Sequence, residues 1–103
     1  MSRIDALKQF LEEDPKDSFS RYALAMEYVK LDRYDDAITE YRTVVREDPS
    51  YVATYFQLGK ALENQGLNED ARGTYQAGIT VATKAGDAHT RDELAAALEM
   101  LED

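Results

Sequence analysis

Few side chains in this sequence could do covalent or metal chemistry, and their spacing argues against both. There is no cysteine, which removes a thiol nucleophile, a thiolate zinc site and a disulfide scaffold together and fits a reducing compartment. The single histidine, His89, has Asp92 three residues on, but a metal site needs two or three further nitrogen or oxygen donors at helical spacing. His89 therefore reads as a side chain near a helix start. Paired acids suit general acid–base work, and Glu12-Glu13-Asp14, Asp35-Asp36 and Glu69-Asp70 are the candidates. The last two pairs fall where helices should begin, and carboxylates there favour the positive end of the helix dipole. Ser2, Ser18, Ser20 and Ser50 cluster at helix starts with no G-x-S-x-G elbow,. Gly59, Gly66, Gly73, Gly78 and Gly86 are dispersed, and no phosphate-cradling loop follows any of them,. No catalytic residue, metal or cofactor is expected, and the chain reads as a non-enzyme.

The elements that must position these groups fit one domain of 103 residues with 44% hydrophobic and 32% charged content, enough apolar surface to fold,. A net charge of −9, with basic residues scattered singly from Arg3 to Arg91, disfavours phosphate backbones and anionic lipid, so neither nucleic acid nor membrane is an expected partner. The C-terminal part is the most lopsided: Asp87, Asp92, Glu93, Glu99, Glu102 and Asp103 face only Arg91. That acidity reads as a solvated surface, an adaptation to a salty cytoplasm, or a face for a basic partner. Arg3, Asp5 and Lys8 interrupt the first ten residues, so no signal-peptide core is present and a cytoplasmic location is expected.

Self-similarity decides the fold. Pro15 and Pro49 stand 34 residues apart, and the same step aligns Leu24 with Leu58, Asp36 with Asp70, Ala37 with Ala71 and Tyr41 with Tyr75. It also carries Ile4, Lys8, Glu13 and Asp14 onto Ile38, Arg42, Glu47 and Asp48, which makes the opening segment a half repeat. Apolar residues recur at three-four spacing: Leu24, Ala25, Tyr28 and Leu31; Ala37, Ile38, Tyr41, Val44 and Val45; Leu94, Ala97, Leu98 and Leu101,. Helix boundaries are expected at a Ser2-x-x-Asp5 box, at Ser18 and Ser50 as N-caps after the prolines, at Asn68, and at Gly86-Asp87,. Ala25, Gly59, Ala37 and Ala71 are small where paired helices should cross closely.

The period and residues resemble the tetratricopeptide repeat, with its W-x2-L-G-x2-Y, A-x3-F and P pattern. The first unit reads Arg21-x2-Leu24-Ala25-x2-Tyr28, Ala37-x3-Tyr41 and Pro49, and the second Tyr55-x2-Leu58-Gly59-x2-Leu62 and Ala71-x3-Tyr75. Arg21 replaces an aromatic residue, predicting looser packing, and Thr83 replaces the closing proline, predicting a longer helix. The resemblance implies an all-α fold of about six helices, stacked antiparallel pairs forming a short right-handed solenoid. Its parts are a half repeat over 2–15, repeats over 18–51 and 52–85, and a capping helix over 87–102.

The resemblance also implies a protein- or peptide-binding scaffold whose groove is lined by the first helix of each unit. Carried over residue by residue, the groove positions are Phe19, Tyr22, Met26, Val29 and Lys30, then Ala53, Phe56, Lys60, Glu63 and Asn64. Glu63, Asp92 and the acidic C-terminus are placed to meet positive charge on a hydrophobic or basic segment. Tyr22 and Met26 stand where some members carry a lysine and an asparagine that grip a free carboxylate, so that clamp is not expected. Phe19, Tyr22, Met26 and Val29 form a second apolar stripe on their helix. Either Leu7, Phe10 and Leu11 of the half repeat cover it as core, or it stays partly open for a ligand. The alternative function is self-association, a homodimer through that exposed apolar face, leaving the chain a monomer or weak homo-oligomer.

Overall fold

The computed structural model describes residues 1–102, which form six helices: α1 (Arg3–Glu13), α2 (Ser18–Lys30), α3 (Tyr34–Glu47), α4 (Ala53–Asn64), α5 (Asn68–Ala85) and α6 (Ala88–Glu102). Asp103, one of the acidic C-terminal residues, lies outside the described residues. Successive helices pack on one another, and α4 also touches α6. The result is a slab of 42 × 29 × 19 Å, whose thin dimension is about two helix diameters.

Two kinds of turn alternate. After α2, α4 and α5, a residue with positive φ lets the chain reverse: Asp32 at 58°, Gly66 at 76° and Gly86 at 72°. In each case the next amide reaches back five residues, Arg33 to Tyr28, Leu67 to Leu62 and Asp87 to Ala82, satisfying carbonyls that the helix end would orphan. Asp32 and Gly66 are one repeat apart, so an aspartate tolerates the conformation that glycine adopts more freely. After α1 and α3, the Asp14 and Asp48 amides close on Phe10 and Val44, and a proline follows, which cannot continue a helix.

The caps differ in part from expectation. Ser2 accepts from the Asp5 amide and Asp87 from the Thr90 amide, as the sequence indicated. Ser18, however, is the first helical residue of α2; Asp17 is the cap and accepts from both the amide and hydroxyl of Ser20. Ser50 bonds Asp48 within the turn, three residues before α4 begins. Asn68 opens α5 from inside the helix, with Leu67 at its cap position. The prolines misled here: Ser50, directly after Pro49, is still in the turn, and the Asp17 carboxylate, which reaches both the amide and the hydroxyl of Ser20, takes the cap one residue before Ser18. Asp35, Asp36, Glu69 and Asp70 do occupy first turns, where the dipole favours them.

The core is built on close crossings. Ala25, Ala37 and Ala71 are fully buried, as are Tyr41 and Tyr75. A Cβ added to Gly59 would overlap the Tyr75 ring, and one added to Gly78 would come within 2.6 Å of Tyr55 Cβ and 3.0 Å of Leu94 Cδ1. α5 is the longest helix, 18 residues against 14 in α3, as Thr83 in place of proline predicts. Leu31 is corrected from core to surface, since it sits at the end of α2 and is exposed.

Arg21 packs loosely, as its departure from the aromatic pattern predicts, but it is tethered. A hollow of about 310 Å³ does open beside it, yet its guanidinium is held at both ends, by Glu40 at 2.7 Å and the Pro15 carbonyl at 3.0 Å. One repeat on, the Tyr55 hydroxyl donates to the Pro49 carbonyl. Arginine thus does the polar job of the aromatic residue without filling its volume.

The paired tyrosines differ in the same manner. Tyr75 donates to a Glu63 carboxylate oxygen, whereas the Tyr41 hydroxyl is buried with no partner among the described residues. The acceptor is missing because Val29 occupies in the first repeat the place of Glu63 in the second.

Three outcomes follow from this packing. Ala71→Leu should lower stability by roughly 1–3 kcal/mol through overpacking; an unchanged thermal midpoint would place the crossing elsewhere. Tyr75→Phe should cost about 1 kcal/mol, while Tyr41→Phe, which deletes an unpaired buried hydroxyl, should be neutral or stabilising; parallel urea titrations compare them. The Asp17 carboxyl is held below its usual pKa by the Ser20 hydroxyl and amide, and Asp87 by the Thr90 amide and hydroxyl. A depressed folded pKa gives stability that is present above the unfolded value near pH 4 and lost as pH falls through the folded one. Melts from neutral to acidic pH should therefore show a decline below about pH 4 that shrinks in an Asp17→Asn, Asp87→Asn double variant.

Candidate ligand-binding surface

The first helices of the pairs, α2 and α4, lie on the same side of the slab as α6, and the spaces between them form two adjacent hollows. One, of about 240 Å³, is lined by Val29, Tyr34, Gln57, Lys60, Ala61 and Asn64. The other, of about 230 Å³, is lined by Phe56, Lys60, Glu93, Ala96, Ala97 and Met100. Lys60 belongs to both.

The expected groove residues separate into three groups. Val29, Phe56 and Lys60 line these hollows. Lys60 is nearly half exposed, with its ammonium 3.8 Å from Glu63 and 5.6 Å above the Phe56 ring. Glu63 stands beside it and is committed to the Tyr75 hydroxyl. Asn64, carried over with them, lines the first hollow.

Tyr22 and Met26 line neither hollow, and like Val29 and Phe56 they are half-buried against the core. The Tyr22 ring lies 5.8 Å from Tyr41 and 5.5 Å from Tyr51. Burial pushes its hydroxyl pKa upward and Tyr51 adds to this, against a smaller lowering by Gln57. Phe19 is 66% exposed at the start of α2. The half repeat covers less of this stripe than the core alternative requires: Leu7 is buried, Leu11 half-buried, and Phe10 52% exposed.

Asp92 stands apart from both hollows, largely exposed and 3.1 Å from Arg91. The α6 residues that line the second hollow are Glu93, Ala96, Ala97 and Met100, a single three-four stripe. The 34-residue step carries Leu58 onto Asp92, but the buried leucine is Leu94. The extra length of α5 shifts the register by two residues, so a fixed period mislocates the α6 face. Gln57 and Tyr34 were also missed; Gln57 follows Phe56 on α4, and Tyr34 opens α3 beside Val29.

Among the described residues no group of three or more His, Asp and Glu side chains is arranged to hold a metal ion. His89 is 86% exposed and 3.9 Å from Glu93, an ion pair only when the imidazole is protonated. No helix among them is long and apolar enough to cross a membrane.

A family model described as the tetratricopeptide repeat matches residues 22–89. A TPR repeat-containing protein of Pseudomonas aeruginosa is 26% identical over 99 residues, covering 96% of this chain and 94% of that one. The solution structure of a tetratricopeptide repeat domain protein from Salinibacter ruber is 42% identical, with a TM-score of 0.82 over 86% of this chain and 90% of that one. The TPR2B domain of yeast Sti1, 18% identical, superposes with a TM-score of 0.90 over 96% of this chain and 79% of that one. The 34-residue register, the helix pairs crossing at small residues and these matches agree: the chain belongs to the tetratricopeptide repeat family.

Proposed function

We propose that this chain is a non-catalytic, cytoplasmic scaffold that binds a protein or peptide segment along the face formed by α2, α4 and α6. The observation that carries the reading is the pair of contiguous hollows sharing Lys60. Each offers a different chemistry. The first presents the amides of Gln57 and Asn64 beside Val29 and Tyr34, which suits a segment's backbone or polar side chains. The second presents Phe56, Ala96, Ala97 and Met100, which suits an apolar side chain. Methionine and aromatic residues adapt to such ligands and are enriched at binding surfaces. The Sti1 domain of the same fold was solved in complex with pHsp70, which supports binding of a protein or peptide by a chain of this fold.

The composition of the segment follows from charge. Lys60 is offset by Glu63, and Glu93 on the opposite wall of the second hollow pairs among the described residues with His89 alone, so a hydrophobic segment with a basic residue at its end fits better than an acidic one. A carboxylate clamp has no support, since Tyr22 and Met26 carry neither the cation nor the amide that would grip a carboxylate. Self-association is the second reading, favoured by the exposed Phe19, Phe10 and Met100 side chains. Sedimentation separates the two, since a chain that stays monomeric at high concentration removes the second.

Selection from a displayed peptide library, with bound peptides mapped by amide shifts in NMR, tests the groove. Perturbations should centre on Val29, Gln57, Lys60 and Ala96, and Phe56→Ala with Lys60→Glu should weaken the selected peptides about tenfold or more with the helical content unchanged. Shifts that map elsewhere, or a double variant that binds as tightly as the parent, would exclude this face.

A further inference from the structure

The prolyl turn occurs twice, after α1 and after α3, and its two copies differ. At the first, Pro15, Lys16, Ser18, Arg21, Val44 and Glu47 close around a space of about 10 Å³. At the second, Pro49, Ser50, Val81, Lys84 and Ala85 surround an open hollow of about 330 Å³, which falls within the roughly 300–1,000 Å³ range of ligand sites. The repeat step takes Lys16 to Ser50 and Glu47 to Val81. Two long charged side chains are thus replaced by a small one and an apolar one. The far wall, Lys84 and Ala85, belongs to the extra turn of α5, which has no counterpart in α3 because that helix ends at Glu47.

This hollow shares no residue with the two on the α2, α4 and α6 face. The Ser50 hydroxyl is occupied by Asp48. Lys84 is the one ionisable side chain in the lining and takes part in no ion pair among the described residues.

We propose that this hollow is a second docking site, for a partner segment in which a Leu, Ile or Val side chain stands next to a Glu or Asp. The aliphatic group covers Pro49, Val81 and Ala85, removing their carbon surface from water, and the neighbouring carboxylate meets Lys84 at the rim. The net charge of −9 opposes an acidic segment at a distance. At physiological ionic strength that field decays over about 8 Å; close to the hollow the Asp48 carboxylate is engaged by the Ser50 hydroxyl at 3.1 Å, and Lys84, which lines the hollow itself, sets the preference at contact. A basic segment would instead set a second cation against Lys84.

The probes are the acetylated, amidated pentapeptide Gly-Leu-Glu-Leu-Gly, its Gln and Lys counterparts at the central position, and Gly-Ala-Glu-Ala-Gly, titrated into the whole chain with amide shifts as the readout. The Leu-Glu-Leu probe should shift Ser50, Val81, Lys84 and Ala85 saturably while leaving Phe56 and Lys60 unmoved. The central Gln, or Lys84→Ala in the protein, should weaken it about three- to fivefold, and the Ala-Glu-Ala probe should not bind. Ala85→Trp, at an exposed position, should abolish binding with an unchanged melt. Equal binding of the Glu, Gln and Lys probes, or an absence of shifts at these four residues, would overturn the proposal. So would shifts at these residues on raising protein concentration alone, which would assign the hollow to a second copy.

Discussion

The structure depends on aromatic rings laid across small residues where paired helices cross. Tyr75 lies against Gly59 so closely that a single added carbon would overlap the ring, and Tyr41 is buried equally deeply in the first repeat. The crossing sets the distance between the two helices of a pair. That distance decides whether the prolyl turns can close, and the closed turns place the first helices side by side. Cores of this density do not absorb a methylene without strain. The face built from α2, α4 and α6 is therefore a consequence of packing on its far side.

The two repeats share a backbone but assign their polar work differently. A carbonyl at the proline turn is satisfied by arginine in one and tyrosine in the other. A buried tyrosine hydroxyl has a glutamate partner in one and faces valine in the other. Ser20 bonds its capping aspartate, while Thr54, one repeat on, has a buried hydroxyl without a partner because Tyr51 stands in place of Asp17. Leaving a buried hydroxyl unpaired costs about 1–3 kcal/mol. The first repeat's Val29 accepts that loss at Tyr41 and in exchange supplies apolar wall to a hollow on the α2–α4 face.

Charge has a smaller part in the fold than its abundance implies. The Arg42–Asp70 pair joins α3 to α5 at 3.2 Å, but both side chains are more than half exposed, and such pairs contribute about 0–1 kcal/mol. Arg21–Glu40 is the better shielded contact, and it stands where the family pattern has an aromatic residue. Most of the acidic excess sits at helix starts and on the outside of α6, where it shapes what the surface attracts and leaves the packing alone.

The sequence by itself determined the fold class, the period, the small residues at the crossings, the longer α5 and the absence of cysteine chemistry, because each rests on local spacing or residue type. The 34-residue step, which holds while the helices keep equal length, also pointed to Val29, Phe56 and Lys60, which line the two hollows that meet at Lys60. Only the tertiary structure decided that Tyr22 and Met26 lean into the core, that Asp17 caps α2, that Arg21 is tethered, and that Glu93 and Met100, rather than Asp92, face Phe56. Those outcomes turn on how far a side chain reaches across to another helix and on how the two-residue register shift that follows the longer α5 rotates α6. A one-dimensional period does not carry that information, because rotation about a helix axis is settled by the neighbours it packs against.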